Sequence, residues 1–192
     1  MIFLHNPKCA GTSVGKYLGV KRRSHTYASK RLSLKWWLST YSIVIVREPT
    51  ERFFSSYYDQ MKGDHETFLI RKYGRKVLNI SPIEYLEILK ENPKLCGPQT
   101  LWTDYPSSVK PRADLVVKFE DLARLSSLLD ALGVKGLPNK LPIKNVGAKR
   151  SQVSAIDHAK ILNLQQKDYE NLLERIQIYY ADDYREFGYP QN

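Results

Sequence analysis

Residues 2–13 have the sequence IFLHNPKCAGTS. The first three are apolar, as expected of a buried strand, and the small residues after them predict a turn that leads into a helix over 12–18. The first N–H groups of a helix lack intrahelical partners and attract anions. Lys8 adds a cation, and the hydroxyls of Thr12 and Ser13 add hydrogen-bond donors. The segment therefore predicts a strand, a phosphate-binding loop and a helix.

The position of the lysine separates this loop from the common nucleotide-binding loop. The Walker A pattern G-x-x-x-x-G-K-[ST] has Lys directly after its second Gly, and its Ser or Thr binds Mg²⁺. Here Lys8 comes three positions before Gly11. This departure favours a loop that binds phosphate without that metal geometry. A strand-to-helix turn with no ligand is the alternative interpretation.

Length and composition predict one domain over residues 1–192, because 42% of the residues are hydrophobic and can form a sizeable core. There is no run of eighteen or more apolar residues and no basic leader, so we expect no membrane segment and a cytoplasmic setting. Cys9 and Cys96 form neither a disulfide framework nor a zinc pattern. We expect Cys9 to fill space in the loop rather than to act as a nucleophile.

Positive charge is concentrated in two parts of the chain. The formal net charge is +10, and Met1 to Arg47 contains nine Lys or Arg and no acidic residue. A second stretch without acids, 131–156, carries Lys135, Lys140, Lys144, Lys149 and Arg150. Such clusters attract polyanions, although ordinary solvated surface charge is the alternative. No nucleic-acid-reading motif is present, so we expect no nucleic-acid partner.

Strand-like and helix-like segments alternate along the chain. A continuous β-branched run predicts a buried strand at 42–46, and the mostly apolar segment 115–119 predicts a third strand. Apolar periodicity predicts helices, namely 50–61, one that begins after the N-cap Ser81 and ends at Asn92, 121–132, and 165–186. Residues 93–114 are predicted to be a long irregular loop. The alternation predicts an α/β fold with a P-loop-type central, mostly parallel sheet flanked by helices, and a ligand at the carboxyl ends of the strands.

A second candidate anion site follows the strand at 42–46. Arg47 stands at the carboxyl end of that strand, and Ser55 lies about two turns into the next helix. An arginine can hold a phosphate with two parallel hydrogen bonds, so its guanidinium and the Ser55 hydroxyl are predicted to converge on one phosphate.

These motifs together resemble those of sulfotransferases that use 3′-phosphoadenosine 5′-phosphosulfate (PAPS). The string P-K-x-x-G-T-S resembles the loop that holds the 5′-phosphosulfate, and residues 47–57 resemble the 3′-phosphate motif R-[DE]-P-x-x-R-x-x-S-x-Y, with Glu48 where Asp is usual. Segments 119–122 and 183–189 resemble the small carbohydrate-acting members of that family. The resemblance implies the following PAPS-binding residues: Lys8, Cys9, Ala10, Gly11, Thr12, Ser13, Arg47 and Ser55. It also suggests Lys149 and Arg150, in a late basic loop, for which a merely solvated loop is an equal alternative.

The resemblance also suggests which groups perform the chemistry. The segment around His25 is similar to the one that carries the catalytic base in the uronyl 2-O-sulfotransferase group, and a histidine is a neutral base near pH 7. Lys8 is the candidate for stabilising the leaving phosphate. A surface role for His25 is the alternative. His5 is expected to be structural or to support the groups that contact the substrate, and His158 has no partner in the local sequence.

The resemblance thus implies an enzyme that moves a sulfuryl group from PAPS to a hydroxyl of a carbohydrate or similar acceptor, with no metal. Basic residues near His25 suggest an acidic acceptor, but the same charge also serves PAPS. Two alternatives stay open: a P-loop kinase-like phosphotransferase, and a non-catalytic protein that binds nucleotides or polyanions.

Overall fold

The computed structural model describes residues 1–20, 25–63, 66–134, 137–138 and 155–191, with the backbone alone described for 155–157. In these residues the elements follow in the order β1 (Ile2–Leu4), α1 (Gly11–Tyr17), α2 (Ala28–Arg31), α3 (Leu34–Ser39), β2 (Ser42–Val46), α4 (Pro49–Met61), α5 (Phe68–Tyr73), α6 (Pro82–Glu91), α7 (Thr100–Thr103), β3 (Leu115–Lys118), α8 (Leu125–Ala131), α9 (Ala155–Ile161), α10 (Gln166–Tyr179) and α11 (Ala181–Phe187). Short 3₁₀-helices cover Arg75–Asn79 and Phe119–Arg124. None of the helices described is long and apolar enough to cross a membrane.

The described chain forms two compact units. The first takes in Met1–Glu48 and the described part of Gln99–Gln152, and the second takes in Pro49–Pro98 and the described part of Val153–Asn192. A single domain over residues 1–192 stays a prediction.

The first unit contains a parallel three-stranded sheet in the order β1-β2-β3. Leu4 pairs with Val44, and Val44 pairs with Val116. Every residue of β2 is buried, as the β-branched run predicts for a central parallel strand. The α/β fold with a parallel sheet flanked by helices is therefore confirmed.

Helices cover both faces of this sheet. Because side chains alternate along a strand, Phe3, Ile43 and Val117 face one side and Leu4 and Val44 face the other. The first set forms a core with residues of α1 and α8, namely Val14, Tyr17, Leu125 and Leu129. The second set packs with Ala28, Trp37 and Ala113. The ends of the strands are thus the places where the sheet can offer polar groups to a ligand.

The second unit is helical in the residues described. α4 buries Phe53, Phe54 and Tyr57, and α6 buries Leu86 and Leu89. The predicted N-cap Ser81 is confirmed, and it forms a capping box with Glu84 through bonds from the Glu84 N–H to Ser81 Oγ (3.2 Å) and from the Ser81 N–H to Glu84 Oε2 (2.6 Å). Each bond satisfies a backbone donor that the helix itself leaves open.

Three predicted boundaries are wrong. The helix expected over 121–132 is a 3₁₀-helix over Phe119–Arg124 followed by α8, and the loop expected over 93–114 contains α7. The C-terminal helix is broken at Tyr180, whose backbone has φ −106° and ψ 22°. The buried Tyr180 hydroxyl donates to Cys96 O at 2.5 Å, and this tertiary contact accompanies the break.

Candidate functional site

The loop between β1 and α1 has an unusual backbone. Lys8 (φ 63°) and Ala10 (φ 54°) both have positive φ, a conformation that residues with a side chain rarely adopt. Positive-φ residues in a loop occur in the concave runs of backbone N–H groups that bind anions, and such strained residues cluster at functional sites. The loop conformation therefore supports the predicted anion site, and Lys8, at the centre of this turn, is half-buried.

The start of α1 limits which groups of the loop could donate hydrogen bonds to an anion. The Ser13 N–H donates to Ala10 O at 2.9 Å, so that N–H is used inside the turn, and the Ser13 side chain is buried. Thr12 is exposed. The Cys9 side chain is fully buried in the core, so any contribution of Cys9 to binding has to come from its backbone. Because α1 is only seven residues long, its dipole is small, so an anion bound at the predicted site would be attracted mainly by the loop and Lys8.

Gln99, which precedes α7, joins this loop to the end of β2. Its Nε2 donates to Arg47 O, and its Oε1 accepts from the Arg47 N–H, both at 2.8 Å. The same Oε1 accepts from Asn6 Nδ2 at 3.0 Å and lies 3.4 Å from Cys9 Sγ. Gln99 is fully buried. One side chain thus joins the loop between β1 and α1 to the backbone of Arg47.

The Arg47 side chain is held above an aromatic ring. Its guanidinium carbon lies 4.7 Å from the centre of the Phe119 ring, a cation–π arrangement that limits the rotation of the side chain. The next residue is also tied down, since the Glu48 N–H donates to Glu120 Oε1 at 3.1 Å. The turn after β3 therefore positions the arginine at the carboxyl end of β2.

The side chain of His25, the candidate base, contacts the side chain of His5 beside the loop. The rings of His5 and His25 are 4.2 Å apart, edge to face. The His5 ring also packs directly on Gly11, because a Cβ added at Gly11 would lie 1.7 Å from His5 Cδ2. Gly11 is required here for this close approach. His5 is buried and His25 is exposed, so His25 presents its ring at the surface next to the start of α1.

Trp102 fixes the backbone of the His25 segment. The indole Nε1 donates to His25 O at 3.0 Å, and Trp102 is fully buried. Its ring packs edge to face against Tyr27, with centroids 5.0 Å apart. Burial raises the pKa of the Tyr27 hydroxyl, so that group stays protonated near neutral pH. No local sequence pattern marks Gln99 or Trp102, because their partners are 52 or more residues away.

The second unit carries the remaining motif residue. Ser55 is half-buried on α4. Arg52, about one turn earlier on the same helix, is fully buried and donates from Nη1 to Gly97 O at 2.8 Å, which is a structural contact. His158, which has no partner in the local sequence, is buried on α9. Its ring nitrogens lie 3.1 Å from Glu51 Oε1 and 3.1 Å from the Tyr58 hydroxyl.

The last points concern the two predicted residues of the late basic loop and the question of a metal site. Lys149 and Arg150 lie outside the described residues. Among the residues that the structure describes, no group of three or more His, Cys, Asp or Glu side chains is placed to hold a metal ion.

A family model described as "Sulfotransferase family" matches residues 1–190. The chain therefore belongs to the sulfotransferase family, a family of transferases. Neither the curated proteins nor the solved structures gave a significant match.

Proposed function

We propose that this protein is a PAPS-dependent sulfotransferase that sulfates a hydroxyl of a carbohydrate or similar acceptor. One observation carries the proposal. The loop and Arg47, which would hold two phosphates of the donor, share Gln99 as a hydrogen-bonding partner, with Oε1 2.8 Å from the Arg47 nitrogen and 3.4 Å from Cys9 Sγ. An adenosine bisphosphate needs two such anion sites in fixed relation, whereas an ordinary nucleoside diphosphate needs one.

The donor set fits PAPS in its chemistry. Lys8 and the positive-φ loop would hold the 5′-phosphosulfate, and the Arg47 guanidinium would hold the 3′-phosphate. From the motif alone we add Ser55 as a second group for the 3′-phosphate. From the family resemblance alone we add Lys149 and Arg150. Within the loop, backbone N–H groups rather than the Cys9 or Ser13 side chains would make the contacts, because both side chains are buried.

Two side chains would serve the transfer itself. PAPS supplies the activated sulfuryl group when it is bound. His25 takes the proton from the acceptor hydroxyl as the acceptor oxygen forms its bond to sulfur. Lys8 stabilises the negative charge left on the phosphate oxygen once its bond to sulfur breaks. The His5 ring holds His25 beside the loop, which keeps the base close to the donor end of the site.

The acceptor belongs, in this proposal, to the class of acidic saccharides. The exposed His25 and the acid-free stretch from Met1 to Arg47 favour a hydroxylated acceptor with acidic groups, such as a uronic acid, because positive charge attracts it. A cytoplasmic location stays a prediction.

A transfer assay tests the proposal. The protein is incubated with labelled PAPS and a panel of neutral and acidic saccharides, and the labelled products are separated. We expect label to appear on at least one saccharide, and its transfer to fall strongly in His25→Ala and Lys8→Ala but not in Lys16→Ala. Tight binding of 3′-phosphoadenosine 5′-phosphate (PAP) with no transfer to any acceptor would favour a non-catalytic nucleotide-binding protein.

A further inference from the structure

His158 of α9 packs against one face of α4. Its imidazole stacks on the Phe54 ring, with ring centroids 4.0 Å apart and an angle of 15° between the planes. Nε2 lies 3.1 Å from Glu51 Oε1, and Nδ1 lies 3.1 Å from the Tyr58 hydroxyl. The His158 side chain is only 4% exposed. One buried imidazole thus contacts three side chains of the same helix, all within the second unit.

The two hydrogen bonds fix the orientation of the imidazole. An ionised carboxylate can only accept, so Nε2 carries a hydrogen and donates to Glu51. In the neutral ring Nδ1 then accepts from the Tyr58 hydroxyl, and in the charged ring it donates to the same oxygen. Because both bonds are kept in either protonation state, His158 holds these two side chains in place.

The same face of α4 carries Ser55. At 3.6 residues per turn, positions 51, 55 and 58 lie within about 60° of one another around the helix axis. Glu51 is one turn before Ser55, and Tyr58 is about one turn after it. Ser55 itself is half-buried. His158 therefore contacts this face on both sides of the group that the proposed function assigns to the 3′-phosphate.

A phosphate at Ser55 would have two carboxylates close to it. Glu51 and Asp59 each lie one helical turn from Ser55, before and after it. Asp59 forms an ion pair with Lys62 at 3.9 Å. The Glu51 side chain is 28% exposed and accepts from His158. Because like charges repel, the placement of the Glu51 carboxylate affects how strongly this face of α4 binds a phosphate.

We propose that His158 is a positioning residue for the 3′-phosphate of the donor, an inference that rests on the proposed function. Its hydrogen bond holds the Glu51 carboxylate against the imidazole, so a donor partly compensates that negative charge and the side chain does not turn toward a phosphate at Ser55. Its second bond holds Tyr58 on the other side of Ser55. The imidazole acts through these neighbours and does not itself contact the phosphate.

Titration calorimetry with PAP and with AMP, which is PAP without its 3′-phosphate, tests this role. His158→Phe keeps a ring that stacks on Phe54 and removes both hydrogen bonds. We expect it to bind PAP about tenfold more weakly and AMP almost as wild type does, because only PAP places a phosphate at Ser55. A merely structural role would weaken the binding of both ligands alike. Ser56→Ala, the matched control, removes the buried 2.7 Å bond between Ser56 Oγ and the Tyr85 hydroxyl and should leave the ratio of the two affinities unchanged.

Two further variants test the effect of the Glu51 charge. His158→Phe/Glu51→Gln should recover most of the lost PAP affinity, because the amide carries no charge. Glu51→Gln alone keeps an acceptor for His158 Nε2, so it should fold as wild type does and bind PAP at least as tightly.

The outcomes separate this inference from the proposed function. An unchanged ratio of PAP to AMP affinity in His158→Phe would overturn the inference while the proposed function stands. No recovery in the double variant, or weaker PAP binding by Glu51→Gln, would overturn it equally. If the wild-type protein does not bind PAP at all, the proposed function fails and this inference fails with it.

Discussion

Replacing Gln99 by Met removes the side chain that links the loop between β1 and α1 to the end of β2, and it nearly keeps the volume of that side chain. The variant loses four hydrogen bonds: two with the backbone of Arg47, one from Asn6 Nδ2 and one from the Cys9 thiol. Each is worth about 1 kcal/mol net, and a buried group left without a partner costs more, so we expect the variant to lose about 2 to 4 kcal/mol of stability. A domain stabilised by roughly 5 to 15 kcal/mol stays folded after such a loss.

The same change should weaken the binding of PAP. Without Gln99, the backbone of Arg47 is no longer held at a fixed position relative to the loop. Binding of PAP then has to order that residue again, which costs about 1 to 2 kcal/mol. We therefore expect the dissociation constant of PAP to rise roughly tenfold, since about 1.4 kcal/mol corresponds to a factor of ten. Urea unfolding measures the loss of stability, and titration calorimetry measures the loss of affinity.

Ser42→Ala is the matched control. It removes the 2.8 Å bond from Ser42 Oγ to Asp114 Oδ2 and the 3.2 Å bond that Ser42 Oγ accepts from the Asp114 N–H, both at the amino end of β2 and so at the other end of the strand from Arg47. This variant should be destabilised with no change in PAP affinity. If Gln99→Met binds PAP as tightly as wild type, or if Ser42→Ala weakens PAP binding equally, the positioning role of Gln99 is wrong.

The remaining predictions concern the loop, the candidate base and the sheet. Lys8→Ala and His25→Ala should each lower kcat for sulfuryl transfer about 100-fold or more, measured as initial rates with labelled PAPS; unchanged rates would contradict their roles. Gly11→Ala should cost about 1 to 3 kcal/mol in urea unfolding, because the new methyl overlaps the His5 ring; a wild-type midpoint would contradict this packing. Burial raises the Asp114 pKa, but hydrogen bonds from Lys110 and Ser42 outweigh it and hold that pKa below its ordinary value. The Asp114 carboxylate is therefore protonated more readily in the unfolded chain than in the folded one. The stability that the ionised carboxylate contributes is complete above about pH 4 and is lost as the pH falls and acid protonates it in the folded protein. Asp114→Asn should therefore flatten the fall of the urea midpoint below pH 4, and an unchanged slope would refute this assignment.

Local patterns in the sequence predict the parts of the fold whose causes are local. The strand Ser42–Val46 has the predicted bounds because a continuous β-branched run is specific for a buried parallel strand. The start of α6 is predicted because Ser81 and Glu84 cap it from within four residues. The break of the C-terminal helix at Tyr180 is not predicted, because no Gly or Pro marks it and the contact of its hydroxyl with Cys96 spans 84 residues.

The candidate site also has parts that local sequence predicts and parts that depend on distant residues. The loop around Lys8 and the position of Arg47 follow from motifs of adjacent residues. Gln99 and the partners of His158 could not be predicted, since they lie 52 to 107 residues from the groups they bind. The two adjacent tryptophans of α3 differ in burial. Trp37 is buried and Trp36 is exposed, because one turn of a surface helix can bury only one of them.

The most direct measurement is a calorimetric titration of the wild-type protein with PAP and, separately, with ADP. Each ligand has two phosphate groups, but only PAP has one on the 3′ position. If Arg47 holds that group, a charged hydrogen-bonding contact of about 1.5 to 3 kcal/mol should make PAP bind roughly ten- to a hundredfold more tightly than ADP. Equal affinity, or tighter binding of ADP, would contradict the sulfotransferase site described here.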